Sequence, residues 1–232
     1  MKKIFTTLAV LSAVAGSAFA QVSVGAGYLN STSTTVVTKT NGDGSTSKSS
    51  GSSNSMGFYV GGNYTFDLGS GLSVNPGLYY SYLTSKDSDA AKLGTIFNGN
   101  MDVTLNEHYI SIPVDLNYGY QLTDGFRIFA YAGPTFQYCV SSKTKVNGEA
   151  KIDIPILGIN KTYKGGDVID NINGDGATYK PFDVLVGGGI GCDIAKTIRV
   201  QGGYNYGLIN RSSADNTTLH RAGWHVGVSY LF

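Results

Sequence analysis

Any chemistry in this chain has to come from a short set of side chains. Three histidines stand at His108, His220 and His225, the first directly after Glu107 and the second directly before Arg221. Barrel hydrolases that cut peptides or lipids set a histidine beside Asp, Ser or Glu, because the imidazole must take a proton from a hydroxyl while held in one tautomer. None of the three lies in a close His-x-Ser or paired-Asp arrangement. Metal binding fares no better, since no two of His, Cys and carboxylate fall at ligand spacing on one strand face. The Asn, Gly and Asp run from Asn171 to Gly176 has some look of a calcium loop, yet the glutamate that would close it is missing. The expectation is a non-enzyme with no catalytic residue, cofactor or metal.

The charges left to explain are Asp115, Arg127, Asp193 and Arg199, and their place depends on the elements that carry them. After Gln21 the chain repeats one unit, a run of about ten residues in period two, apolar on one phase and small or polar on the other. Eight runs can be counted: Val22 to Tyr28, Gly57 to Phe66, Leu72 to Leu83, Tyr109 to Gln121, Phe126 to Cys139, Phe182 to Asp193, Ile198 to Leu208 and Gly223 to Phe232. In the fourth, Ile110, Ile112, Val114, Leu116, Tyr118 and Tyr120 share one phase, and Ser111, Asp115, Asn117 and Gln121 share the other. A slip of one residue would put Asp115 into hydrocarbon, so the register is well specified.

The connections alternate in length. Asp67 to Gly71, Leu122 to Gly125 and Ala195 to Thr197 are tight, and two of them carry the Gly or Asp-Gly pairs that hairpin turns favour. Leu29 to Met56, Thr84 to His108, Val140 to Pro181 and Ile209 to Ala222 are long. Short turns on one rim and long loops on the other are the organisation of a transmembrane β-barrel, with turns in the periplasm and loops outside. A soluble sandwich would not need aromatic residues at both ends of its strands. Here Phe66, Tyr118, Tyr120, Phe126 and Phe232 gather near the turns, and Tyr80, Tyr82, Phe136 and Tyr138 near the loops, as two headgroup girdles require. The fold expected is all-β, an eight-stranded antiparallel up-and-down barrel with both termini periplasmic.

The ends agree with export. Lys2 and Lys3, an apolar run from Ile4 to Ala15, and an Ala18-Phe19-Ala20 triplet before Gln21 have the order of a secretory signal peptide, cleaved between Ala20 and Gln21. The expected domains are a leader, 1–20, and a barrel, 21–232. Removing Lys2 and Lys3 from the 17 basic residues leaves 15 against 16 acidic ones, which gives no electrostatic case for nucleic acid. At the other end, His225, Gly227, Tyr230 and the terminal Phe232 resemble the C-terminal signal read by the outer-membrane assembly machinery. Cys139 and Cys192 fall at opposite ends of consecutive strands, beyond the roughly 7 Å that a disulfide can span, so both are expected to be free thiols.

The inward phase is polar and rich in glycine: Gly25, Gly27, Gly61, Gly77, Gly187, Gly189, Gly191, Gly203 and Gly227. An eight-stranded barrel is just wide enough for side chains to fill. Glycines leave room for Tyr79, Tyr131, Arg127 and Arg199 to lie across the lumen. Arg199 is expected to face Asp193 across the turn centred on Lys196, and Arg127 to reach Asp115 through the lumen, since buried charges need partners. In the loops, Ser31 to Ser55 is nearly all Ser, Thr, Gly and Asn, either disordered or a frayed hairpin turning at Asn41 to Gly44. Lys151 to Leu157 alternates, and could extend its hairpin above the membrane and expose a strand edge for a partner, although surface decoration explains the pattern equally well.

The strand pair Tyr109-Ile-Ser-Ile-Pro-Val114 and Phe129-Ala-Tyr-Ala-Gly133-Pro134, with Tyr204-Asn-Tyr-Gly-Leu208, resembles the PorT-like or outer membrane protein beta-barrel domain family of Bacteroidetes, among the small OmpX/OmpA-like barrels. The resemblance covers the strands and not the loops. It implies fold and an outer-membrane location; the secretion role of the family's name giver is not supported by these low-complexity loops. The function expected is a monomeric barrel with a closed lumen and an adhesion, defence or envelope role through its loops. A narrow channel for ions or small solutes, or an accessory role in secretion, are the alternatives. Its partners would be the lipid bilayer, the assembly machinery and an extracellular molecule met by the loops.

Overall fold

The computed structural model describes residues 20–40, 45–87, 97–98, 102–147, 150–154, 159–163, 166, 168–173 and 178–232. The expected leader up to residue 19 and the hairpin tip at Asn41 to Gly44 lie outside them. Eight strands form the wall: β1 (Ala20–Thr40), β2 (Thr46–Gly69), β3 (Leu72–Asp87), β4 (Asp102–Thr123), β5 (Phe126–Asn147), β6 (Phe182–Ile194), β7 (Ile198–Gly207) and β8 (Thr217–Leu231). Each pairs antiparallel with its chain neighbours, and β8 returns to β1 with Leu231 opposite Ser23, Val226 opposite Tyr28 and Thr217 opposite Val37. The sheet is therefore closed and, within the belt, leaves no unpaired edge.

The period-two pattern decides what each face meets. Outward positions are apolar and open: Ile190 and Phe232 are each 72% exposed, and Leu78, Leu116, Val228 and Ile112 behave alike. A contiguous apolar coat of this kind would be an aggregation liability in water and is the normal surface of a barrel in lipid. Both aromatic girdles lie on that coat. Phe66, Tyr118, Tyr120, Phe126 and Phe232 ring the short-turn rim, and Phe136 and Tyr138 stand toward the loops, joined there by Tyr28, Phe58, Tyr206 and Trp224. The packed interior is the lumen itself.

Two of the tight turns use left-handed backbone. Gly69, Ser70 and Gly71 have φ of 88°, 55° and 82°, and Ala195 and Lys196 have 52° and 58°. Positive φ at two successive residues helps reverse the chain between Ile194 and Ile198, here accepted by non-glycine residues at 195 and 196.

Above the belt the strands run on farther than the apolar pattern foretells. β1 and β2 stay paired up to Thr40 opposite Thr46, so the Ser/Thr segment is hairpin rather than disorder. Once both faces meet water the alternation that marks a strand disappears, although Thr34, Thr35, Val36 and Val37 retain β-branched preference for the extended form. β2 and β3 part company after Met56 opposite Thr84, and the 46–55 stretch of β2 then has β1 on one side only among the described residues. The Ala150–Ile154 strand lies between Ile159–Tyr163 and Phe97–Asn98 in a small three-stranded sheet. Ile159–Tyr163 pairs along its whole length, whereas Phe97–Asn98 covers the other edge at Lys151 and Ile152 alone among the described residues. Cys139 and Cys192 are both free, the first buried on the inward phase of β5 and the second opposite the outward Ile128.

Candidate functional site

The inward side chains gather in three tiers along the lumen. At the short-turn rim the β6–β7 register sets Asp193 opposite Arg199, and the β5–β6 register sets it opposite Arg127. Arg199 grips the carboxylate with Nε to Oδ1 at 2.7 Å and Nη2 to Oδ2 at 3.0 Å, while Arg127 Nη1 donates to Oδ2 at 3.1 Å. Phe129 lies beside both guanidinium groups, 4.6 Å from that of Arg199 and 5.8 Å from that of Arg127. Arg199 is 2% exposed, a burial that a cation tolerates only with such a partner.

Arg127 does not reach Asp115. On β5 the inward position next to Asp115 is Gly133, six residues above Arg127, or about 20 Å at 3.3 Å per residue. Arg127 turns instead toward the rim, where it also approaches Gly71 O and Asn117 Oδ1 at 3.4 Å each.

The middle tier is aromatic. Tyr59 and Tyr79 meet edge to face with centroids 5.7 Å apart, His225 lies edge-on to Tyr59 at 6.0 Å, and Tyr131 OH is 2.9 Å from His225 Nε2. These rings occupy space that glycines vacate: a Cβ on Gly61 or Gly77 would run into Tyr79, one on Gly189 or Gly203 into the Tyr131 hydroxyl, and one on Gly27 or Gly227 into Tyr59. Together with Asp115 and Asn75 the rings border a cavity of about 140 Å³.

The third tier lies toward the long-loop end. Tyr109, Leu83 and Cys139 form a buried cluster with Leu29 and Ile172 packed on it. Arg221 and Arg211 set their guanidinium carbons 4.1 and 5.5 Å from the Tyr109 ring centre. Arg211 comes down from the loop between β7 and β8, donates to Tyr109 OH at 3.0 Å and to Lys180 O at 3.1 Å, and so pins two loops to the barrel. Arg221 donates to Gln137 Oε1 and stands 3.9 Å from Glu107. Beside this tier Asn171 donates to Ser142 Oγ and Thr144 Oγ1, so the one described part of the supposed calcium run serves to anchor a loop. The Asn173 amide, with the backbone N–H groups of Ile172 and Asn173, holds the Asp170 carboxyl below its ordinary range.

The remaining histidines lie on the outer wall. His108 Nδ1 is 2.5 Å from Tyr80 OH, and His220 Nδ1 is 3.0 Å from Gly207 O with its ring stacked on Tyr206. In the last strand His225 and Gly227 face inward, while Tyr230 and Phe232 face outward with centroids 4.8 Å apart. Ala20 and Gln21, the expected cleavage pair, open β1 opposite Phe66 and Thr65. Sequence reasoning assigned no role to Tyr59, Glu107, Tyr109, Arg211 or Arg221. Inward phase could have flagged the first three; nothing in the composition of its loop marks Arg211.

A search of curated proteins by sequence finds no match. Among solved structures the chain is similar to Ail, the attachment invasion locus protein of Yersinia pestis, crystallised with the heparin analogue sucrose octasulfate. That likeness has 14% identity over 92% of this chain and 99% of that one, with a TM-score of 0.43. It is similar also to the outer membrane enzyme PagL (12% identity, 91% and 98% covered, TM-score 0.43) and to Neisserial surface protein A (11%, 88% and 97%, TM-score 0.39). Residues 16–213 match the family described as outer membrane protein beta-barrel domain, and the chain belongs to that family.

Proposed function

We propose that this outer-membrane barrel is a non-enzymatic surface protein whose lumen is closed and whose long-loop rim meets a partner outside the cell, in adhesion, defence or support of the envelope. The observation that carries this reading is the set of three side-chain tiers, each tied to opposite parts of the wall by ion pairs, hydrogen bonds or ring contacts. A lumen filled in this way leaves the rims as the surfaces for function. The long-loop rim has by far the greater reach, with the β1–β2 hairpin standing above the belt and the 46–55 edge of β2, which pairs only with β1 among the described residues, available to an added strand.

In this reading the short turns and both termini are periplasmic, the leader is cleaved before Gln21, and Tyr230 and Phe232 present the last strand to the assembly machinery. The protein works as a monomer. The finer kinship with PorT-like barrels of Bacteroidetes rests on the strand motifs alone.

The test replaces residues 33–53 by a short turn and compares cells displaying either form for attachment to surfaces and survival in serum. Loss of either trait, with the folded band retained on unheated gels, is the expected result. Equal behaviour of the two forms in every assay would overturn the surface role.

A further inference from the structure

We infer that the middle of the lumen is a binding site for a small primary amine in its ammonium form, held by Asp115 and Asn75 within a cage of Tyr59, Tyr79 and Tyr131. Asp115 and Asn75 are direct cross-strand neighbours on β4 and β3, both facing inward. Asn75 is 4% exposed, and its Oδ1 is buried without a hydrogen-bond partner among the described residues. Asp115 makes no ion pair or side-chain hydrogen bond among the described residues either. The nearby arginines have other partners: Arg127 and Arg199 share Asp193, and Arg211 and Arg221 attend Tyr109, Gln137 and Glu107, with Arg211 Nη2 and Arg221 Nη1 left without a hydrogen bond among the described residues.

The Asn75 Oδ1 and the Asp115 carboxylate are neighbouring acceptors without a hydrogen-bond partner among the described residues. A partly buried carboxylate inside the lumen is stabilised by a cation, and an ammonium group offers three N–H donors and no acceptor. The walls suit the same charge, because the faces of Tyr rings attract cations, most strongly where water is excluded. The cavity of about 140 Å³ is near the size of one that admits benzene, so the fitting ligand has about five or six non-hydrogen atoms. A metal ion fits poorly. Calcium takes six to eight oxygens, and no group of three His, Cys, Asp or Glu side chains converges among the described residues. The inference stands apart from the closed-lumen reading, since a resident ligand need not permeate.

The probe is n-butylammonium chloride, titrated by calorimetry into the refolded chain in detergent, with Tyr ring signals followed by NMR and 1-butanol as the neutral control. Saturable one-to-one binding is expected, with upfield shifts of the ligand's methylene protons and 1-butanol weaker by at least about tenfold. Asp115→Asn, which keeps the shape and removes the charge, should weaken binding about ten- to hundredfold. Absence of saturation, equal binding of 1-butanol, or an unchanged affinity in Asp115→Asn would each overturn the proposal. If that variant fails to fold, the wild-type contrast between the amine and the alcohol decides.

Discussion

Arginine clusters lie at both ends of the lumen, but the two are built from different parts of the chain. At the short-turn rim one carboxylate, Asp193, draws Arg127 and Arg199 from the strands on either side of it. Three adjacent strands suffice, and every partner is fixed by sheet register. At the long-loop rim Arg211 and Arg221 converge on Tyr109, more than a hundred residues away, and Arg211 itself sits in a loop. The first cluster is fixed by strand register, whereas the second depends on the loops staying folded back. On the proposed closed-lumen reading, the short-turn end would stay shut while the loop end adapts.

The largest effect expected from this contrast is at the short-turn rim. Asp193→Ala leaves two cations with no counter-ion, one of them fully buried, and should cost about 3 kcal/mol in urea unfolding followed by Trp224 fluorescence. An effect below about 1 kcal/mol would show that the rim cations are solvated and that the two closures do not differ in kind. Next comes Arg211→Ala. It removes contacts to Tyr109 and Lys180 but none of the wall's ladder, so global unfolding should move by less than about 1 kcal/mol. Hydrogen exchange should instead quicken about tenfold at the loop amides of Lys180 and Ser213, which bond to Arg211 O and Thr178 O. A global loss as large as that of Asp193→Ala would erase the distinction.

The smallest effect concerns Asp170. Its folded pKa is depressed, so its capping of Ile172 and Asn173 contributes fully above the ordinary value of about 3.9 and is lost as pH falls through the depressed one. Protease nicking near 168–173 should rise only as pH falls below about 4, with the barrel core unchanged. A flat profile would mean that the loop is held by Asn171 alone.

The same contrast explains how far the sequence could be read. Asp193 and Arg199 flank the Ala195–Thr197 turn symmetrically on the inward phase, so alternation plus a tight turn predicts their pairing. That Arg127 meets Asp193 and not Asp115 depends on the β5–β6 register, which a loop of some forty residues leaves open in the sequence. Tyr59 sits on the inward phase for anyone to see, but its role depends on Gly27 and Gly227 lying beside it on β1 and β8. The upper hairpin of β1 and β2 was ambiguous because Ser and Thr on both faces carry no period. Arg211 lies in a segment with no pattern at all, and only the folded loop shows its target.

The most direct test of the closed lumen is the conductance of the refolded chain from Gln21 to Phe232 in a planar bilayer, after slower gel migration on heating has confirmed folding. The three tiers predict silence over many insertions, in wild type and in Arg211→Ala alike, because the short-turn closure stands without the loops. Stable stepwise currents from the wild-type barrel would contradict the closed lumen and turn Asp115, Arg127 and Arg199 into candidates for ion selectivity.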